Sequence, residues 1–193
     1  MSDDRPRRRQ KRKLSPLDTT GLERLALGYV ARFATSAAKF EAYLARKLRE
    51  RGWDGDSEPD LAALVRHYVD LGYVDDAAFA RARAGGLLRR GYGPRRVAQA
   101  LGAAGIAEQV RAEVRAGEGA ERRAALTMAR KRGFGPFARA SSSDRPDRAT
   151  REKQIAAMLR AGHPLDSARE LVDAASVEAA EVWAAEAQDE EQA

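Results

Sequence analysis

The chain has 193 residues, 44% of them hydrophobic but only 6% aromatic, with no cysteine, two histidines and a net charge of +6. Such a composition leaves room for a buried core but excludes a disulfide scaffold and a zinc–thiolate site, and no apolar run approaches the about 18 residues that span a membrane. Ala and Leu dominate the apolar residues and β-branched runs are nearly absent, so the balance favours helix over sheet.

Residues 1–18 read as a disordered basic arm. Arg5, Arg7, Arg8, Arg9, Lys11, Arg12 and Lys13 stand there against Asp3 and Asp4, with Pro6, Pro16 and no periodicity. No hydrophobic stretch follows, so a secretory signal is not expected and a cytoplasmic location is. Helical pattern begins at Thr19 or Thr20, either of which can cap a helix, with Leu22, Leu25, Tyr29 and Phe33 on one face. Thr35 and Ser36 are the next cap candidates, and Phe40, Tyr43, Leu44 and Leu48 continue a helix to about Gly52. Ser57 or Asp60 opens a third, with Leu61, Leu64, Val65, Tyr68 and Leu71 on its apolar face and Gly72 at its close.

The pattern then restarts. Asp75 or Asp76 caps a helix carrying Phe79, Ala80, Leu87 and Leu88, which breaks at Gly91-Tyr92-Gly93-Pro94. Pro94 suits the first turn of the next helix, where its missing N–H costs nothing. Val97 and Leu101 follow, then Gly105, then Ile106, Val110 and Val114. A seventh helix runs from about Glu118 to Arg132 and breaks at Gly133-Phe134-Gly135-Pro136. A Ser/Asp/Pro/Arg loop over about 138–148 precedes an eighth helix with Ile155, Met158 and Leu159, ending at Gly162. Pro164 prevents its continuation, and Asp166 caps a ninth helix with Ala168, Leu171 and Val172. Residues 176–193 read as an acidic tail, six acidic groups lying between 178 and 193 with no basic one.

These elements repeat. Leu44, Leu48 and Trp53 match Val97, Leu101 and Ile106 in spacing, and Ile155, Leu159 and Leu165 follow the same scheme. The spacing predicts an all-α chain of three tandem three-helix repeats, elongated and curved, over 19–72, 73–117 and 118–175. Trp53 and Ile106 are expected in the core.

No constellation for catalysis is present. Gly91-Tyr92-Gly93 follows no strand and precedes no GK[ST], and neither HExxH nor GxSxG occurs. Asp75 and Asp76 are better read as helix caps. No enzyme activity, cofactor, metal or small-molecule substrate is expected. Once the head at +5 and the tail at −6 are set aside, the body carries +7, which points to a polyanionic or acidic partner. Arg81, Arg83, Arg89, Arg90, Arg95 and Arg96 cluster around the first break, and Arg130, Lys131 and Arg132 around the second. Arg pairs bidentately with carboxylate or phosphate alike, so the stripe fits DNA and an acidic protein surface equally. Tyr92 and Phe134 are expected to pack rather than stack on bases, and His163 to contact helix-end carbonyls.

Gly72-Tyr73-Val74-Asp75-Asp76 followed by Phe79-Ala80 resembles the RecX family. Arg90 through Val97, then Leu101 and Gly105-Ile106, continue the resemblance in order; Ser36 to Gly52 and Arg151 to Gly162 extend it to the flanking repeats, covering about residues 20–175. Departures are Lys39-Phe40, where many members have an acidic residue and Leu, the loop in the third repeat, and the charged ends. The resemblance implies the three-repeat fold and a partner, the RecA recombinase filament on single-stranded DNA, whose ATPase, strand-exchange and co-protease activities such proteins inhibit or modulate. The contact residues expected here are Arg89, Arg90, Arg95, Arg96, Lys131 and Arg132. The alternative is a helix-turn-helix-like module binding single- or double-stranded DNA directly. No membrane partner is expected.

Overall fold

The structure, a computed structural model, describes residues 15–138 and 147–192. The basic groups of residues 5–13 and the stretch 139–146 lie outside the described residues, and for 188–192 the helix alone is described. Among the described residues there are ten α-helices, one 3-10 turn and no strand beyond a single bridge between Leu17 and Trp53. The chain divides into two compact units, residues 1–74 and 75–193.

The first unit holds α1 (Thr19–Val30), α2 (Ala37–Arg51) and α3 (Leu61–Asp70). Asp18, rather than Thr19 or Thr20, caps α1, accepting from the Gly21 N–H at 2.7 Å. Ser36 and Asp60 cap α2 and α3 in the same way. Phe40 and Leu44 are fully buried and share a core with Leu22, Ala26, Val65 and Tyr68. Tyr29 stacks on Tyr43 at 4.0 Å between ring centroids, and Tyr68 meets the edge of Phe40 at 5.4 Å. Phe33 and Leu71, expected on apolar faces, are exposed, each lying past the last full turn of its helix.

Residues 15–18 do not belong to a disordered arm. Leu17 is 1% exposed and sits in this core. Its N–H donates to the Gly52 carbonyl at 2.9 Å and its carbonyl accepts from Asp54 at 2.8 Å, so the segment is pinned to the turn after α2. Arg51 adds a bond from Nε to the Ser15 carbonyl at 2.8 Å.

The second unit contains α4 (Asp76–Arg89), α5 (Pro94–Gly102), α6 (Glu108–Glu113), α7 (Glu118–Arg132), α8 (Arg148–Arg160), α9 (Leu165–Asp173) and α10 (Val177–Gln192). Ala80, Leu101, Ala104 and Ile106 form one core among α4–α6; Leu126, Met128, Met158, Leu171 and their neighbours form another among α7–α10. Asp75 caps α4, Asp147 caps α8, and Pro164 rather than Asp166 stands at the cap of α9.

The start of α5 meets the end of α8 backbone to backbone. The Gly93 N–H donates to the Ala161 carbonyl at 2.9 Å and the Arg95 N–H to the Gly162 carbonyl at 3.1 Å. This contact satisfies N–H groups that the first turn of a helix leaves orphaned. A Cβ on Gly93 would strike the backbone of Gly162, and one on Gly162 (φ +96°) the backbone of Arg96. Only hydrogen in place of both side chains permits the approach.

The acidic end is helical and packs. Residues 177–192 form α10, which packs against α7 through Ala180, Ala184 and Ala187, each at most 2% exposed. Their spacing of four and three places small side chains on one face, so the helix can approach closely. Arg122 lies over the Trp183 ring at 4.9 Å and donates to the Trp183 carbonyl at 2.9 Å, while Arg130 pairs with Glu181.

Candidate partner-binding surface

Of the six expected contact residues, Arg89 ends α4 and Arg90 caps it, while Lys131 and Arg132 end α7. All four are exposed. A cation at a helix C-terminus complements the negative end of the helix dipole, worth about 0.3–1 kcal/mol, so local structure already explains these positions. Lys131 Nζ donates to the Arg90 carbonyl at 3.4 Å, which brings the two helix ends together. A Cβ built on Gly91 would touch the Met128 backbone nitrogen at 3.0 Å, a measure of how tightly the α4–α5 break seats on α7. Arg130, grouped with Lys131 in the sequence, is engaged by Glu181 and lies over Phe137 at 5.7 Å.

Arg95 and Arg96 are different. They occupy the second and third positions of α5, where the dipole is positive and a cation is disfavoured. No acidic residue accompanies them in that turn. Among the described residues no carboxylate lies within ion-pair distance of either; Arg96 Nη1 donates to the neutral Gln99 Oε1 at 2.7 Å. Several other cations are matched: Lys47 with Glu50 at 2.6 Å, Arg122 with Glu118 at 2.5 Å, Arg151 with Asp173 at 2.5 Å, and Arg111 with Glu108. Two exposed arginines without a carboxylate partner are what the α5 dipole does not account for, although the C-terminal carbonyls of Ala161 and Gly162 lie beside that turn.

Tyr92, between the two pairs of arginines, is 38% exposed, whereas Phe134 packs on the core of α7–α10. His163 lies at 0% exposure, and its Nε2–H donates to the Gly91 carbonyl at 3.0 Å. It therefore contacts the break after α4 rather than its own helix end, and anchors the segment from which Arg95 and Arg96 project. Burial pushes its pKa below the ordinary histidine value, opposed by the bond to Gly91. The sequence carried no signal for this long-range role. Among the described residues no cluster of three or more His, Cys, Asp or Glu side chains could hold a metal ion, and no helix is long and apolar enough to cross a membrane.

These features define a helical repeat protein with an unneutralised basic edge on its middle helices. Residues 75–114 match the family model for the second three-helix domain of RecX. The chain is 32% identical over 170 residues to the Regulatory protein RecX of Myxococcus xanthus (strain DK1622), a match covering 84% of this chain and 88% of that one. The crystal structure of RecX from Lactobacillus salivarius shares the fold with a TM-score of 0.62 at 17% identity, over 79% of this chain and 93% of that one. The chain belongs to the RecX family.

Proposed function

We propose that this chain regulates the RecA recombinase in the cytoplasm by binding the RecA filament on single-stranded DNA, inhibiting its ATPase, strand-exchange and co-protease activities without catalysing a reaction itself. The observation that carries the reading is the pair Arg95 and Arg96, exposed and unmatched at the start of α5. Arg89, Arg90, Lys131 and Arg132, at the adjoining ends of α4 and α7, add to the basic surface. The mechanism that follows is steric and electrostatic occupation of the filament.

The test is single-stranded-DNA-dependent ATP hydrolysis by the host recombinase, with the regulator at substoichiometric and equal ratios. Inhibition well below one regulator per recombinase is expected. Because a hydrogen bond to a charged group contributes about 1.5–3 kcal/mol, Arg95→Glu with Arg96→Glu should weaken inhibition at least roughly ten-fold per arginine. Full inhibition by that double variant would remove these residues from the interface. No effect of the parent protein at any ratio, with tight binding to naked DNA and a steep salt dependence, would instead favour a direct nucleic-acid-binding module.

A further inference from the structure

Beside Arg95 the second unit carries a groove of about 690 Å³ between α5, α6 and the start of α7. The volume falls within the range of sites that accept a side chain or small ligand. Part of its lining is aliphatic, with Val97 and Leu101 from α5, Val114 after α6 and Pro164 before α9, and part is charged, with Arg95, Glu108, Arg111, Arg115 and Glu121. Arg95 stands at one edge and Arg115, whose side chain is 77% exposed, at another.

We infer that this groove receives a short protein segment of the partner, an aliphatic side chain flanked by a carboxylate that pairs with Arg95, and not nucleic acid. The inference rests on the proposed function and names the chemistry of contact at its surface. Three points weigh against nucleic acid as the occupant. No aromatic residue lines the groove, so there is no platform on which bases stack. Glu108 and Glu121 lie in the lining and repel any anion, a run of phosphates more than a single carboxylate held at Arg95. And the aliphatic part of the lining gains nothing from a phosphate, whereas covering it with an apolar side chain is stabilising. A carboxylate fits best at Arg95: Arg111 is already paired with Glu108, and Arg115 already lies 4.0 Å from the Glu121 carboxylate, whereas no carboxylate lies within ion-pair distance of Arg95 among the described residues. Burial raises the Glu121 carboxyl above its ordinary pKa, in keeping with an aliphatic rather than a highly solvated groove.

Ala98 and Ala112 line opposite walls and are both exposed, so Ala98→Trp and Ala112→Trp fill the groove without disturbing a core. Each full-length variant is checked by circular dichroism and thermal melting, and two walls are used so that a misfolded variant leaves the other to decide. Affinity is then measured for the recombinase filament on single-stranded DNA and, separately, for the naked strand. The expected result is at least a ten-fold loss on the filament with the naked-strand affinity unchanged. Parent-like filament binding by a folded tryptophan variant would overturn the groove; if Arg95→Glu with Arg96→Glu still loses binding, the basic-edge reading survives it. A parallel loss on filament and naked strand would place nucleic acid in the groove and overturn the inference. Retention of filament binding by the double glutamate variant as well would sink both.

Discussion

His163 shows how a single side chain can tie a binding edge to the core. Its Nε2 carries the proton that Gly91 accepts, and its Nδ1 has no hydrogen-bond partner among the described residues. Protonation would bury a charge with nothing to receive it. The folded pKa is depressed by burial, so the unfolded chain, with histidine near about 6.5, binds a proton before the folded one does. Stability from the neutral ring is thus complete above that value and is lost as pH falls below it, at up to about 1.4 kcal/mol per pH unit until the folded group also titrates. Urea midpoints at pH 7.5 and 5.5 should differ in that direction, and His163→Gln should flatten the difference. An unchanged slope in the variant would assign the effect elsewhere. His163→Ala leaves the Gly91 carbonyl unpaired beside a cavity and is expected to cost roughly 2–4 kcal/mol at neutral pH, measured by the same melts.

At the scale of elements, the two Gly-aromatic-Gly-Pro breaks are nearly identical in sequence yet fold differently. Gly93 is extended and Pro94 opens α5; Gly135 adopts φ +52° and Pro136 sits in the 3-10 turn Gly135–Phe137. A Cβ on Gly135 would meet the Leu171 carbonyl at 2.5 Å, so α9 dictates the second turn, and no local reading could have supplied that. The third copy of the repeat pattern departs for a similar reason. Leu159 and Leu165, matched in spacing to buried Leu101 and Ile106, are 36% and 38% exposed, while Met158 and Leu171 fill the core instead. α10 takes space on α7 that a three-helix repeat would leave open, and its alanines gave no apolar stripe strong enough to announce it. Trp183→Ala is expected to destabilise the second unit by about 3 kcal/mol or more through lost packing and the lost Arg122 contact; a change within about 0.5 kcal/mol in a chemical melt would show that α10 is dispensable to the core.

Across the whole chain, the helices and most of their faces were legible because period, caps and breakers agreed. The α7 limits, Glu118 and Arg132, coincide with the expected ones. What was not legible came from contacts distant in sequence. Leu17, a lone apolar residue between Pro16 and Asp18, gave no periodicity, yet Gly52 and Asp54 hold it. The candidate site was readable as a cluster of basic residues, but not that Arg130 would be engaged, since that depends on Glu181 far along the chain. The cores close within residues 1–74 and 75–193. A fragment of residues 75–193 should therefore fold alone, with a helical spectrum and a cooperative urea transition; a broad, non-cooperative loss of signal would contradict it. Leu17→Asp should unfold the first unit selectively, read from the fluorescence of Trp53 against that of Trp183.

The meeting of Gly93 and Gly162 has a consequence at the level of the genetic code. Every single-base change that alters a glycine codon yields a stop codon or a residue bearing at least a methyl group, so no one-step missense mutation can leave this junction intact. The arginines that project beside it face no such barrier, since an exposed side chain can be exchanged without moving the backbone. A random-mutation library selected only for soluble expression should therefore be empty at the two glycines and densely varied at Arg95 and Arg96. The scaffold would be inherited unchanged while the surface it presents drifts towards new partners.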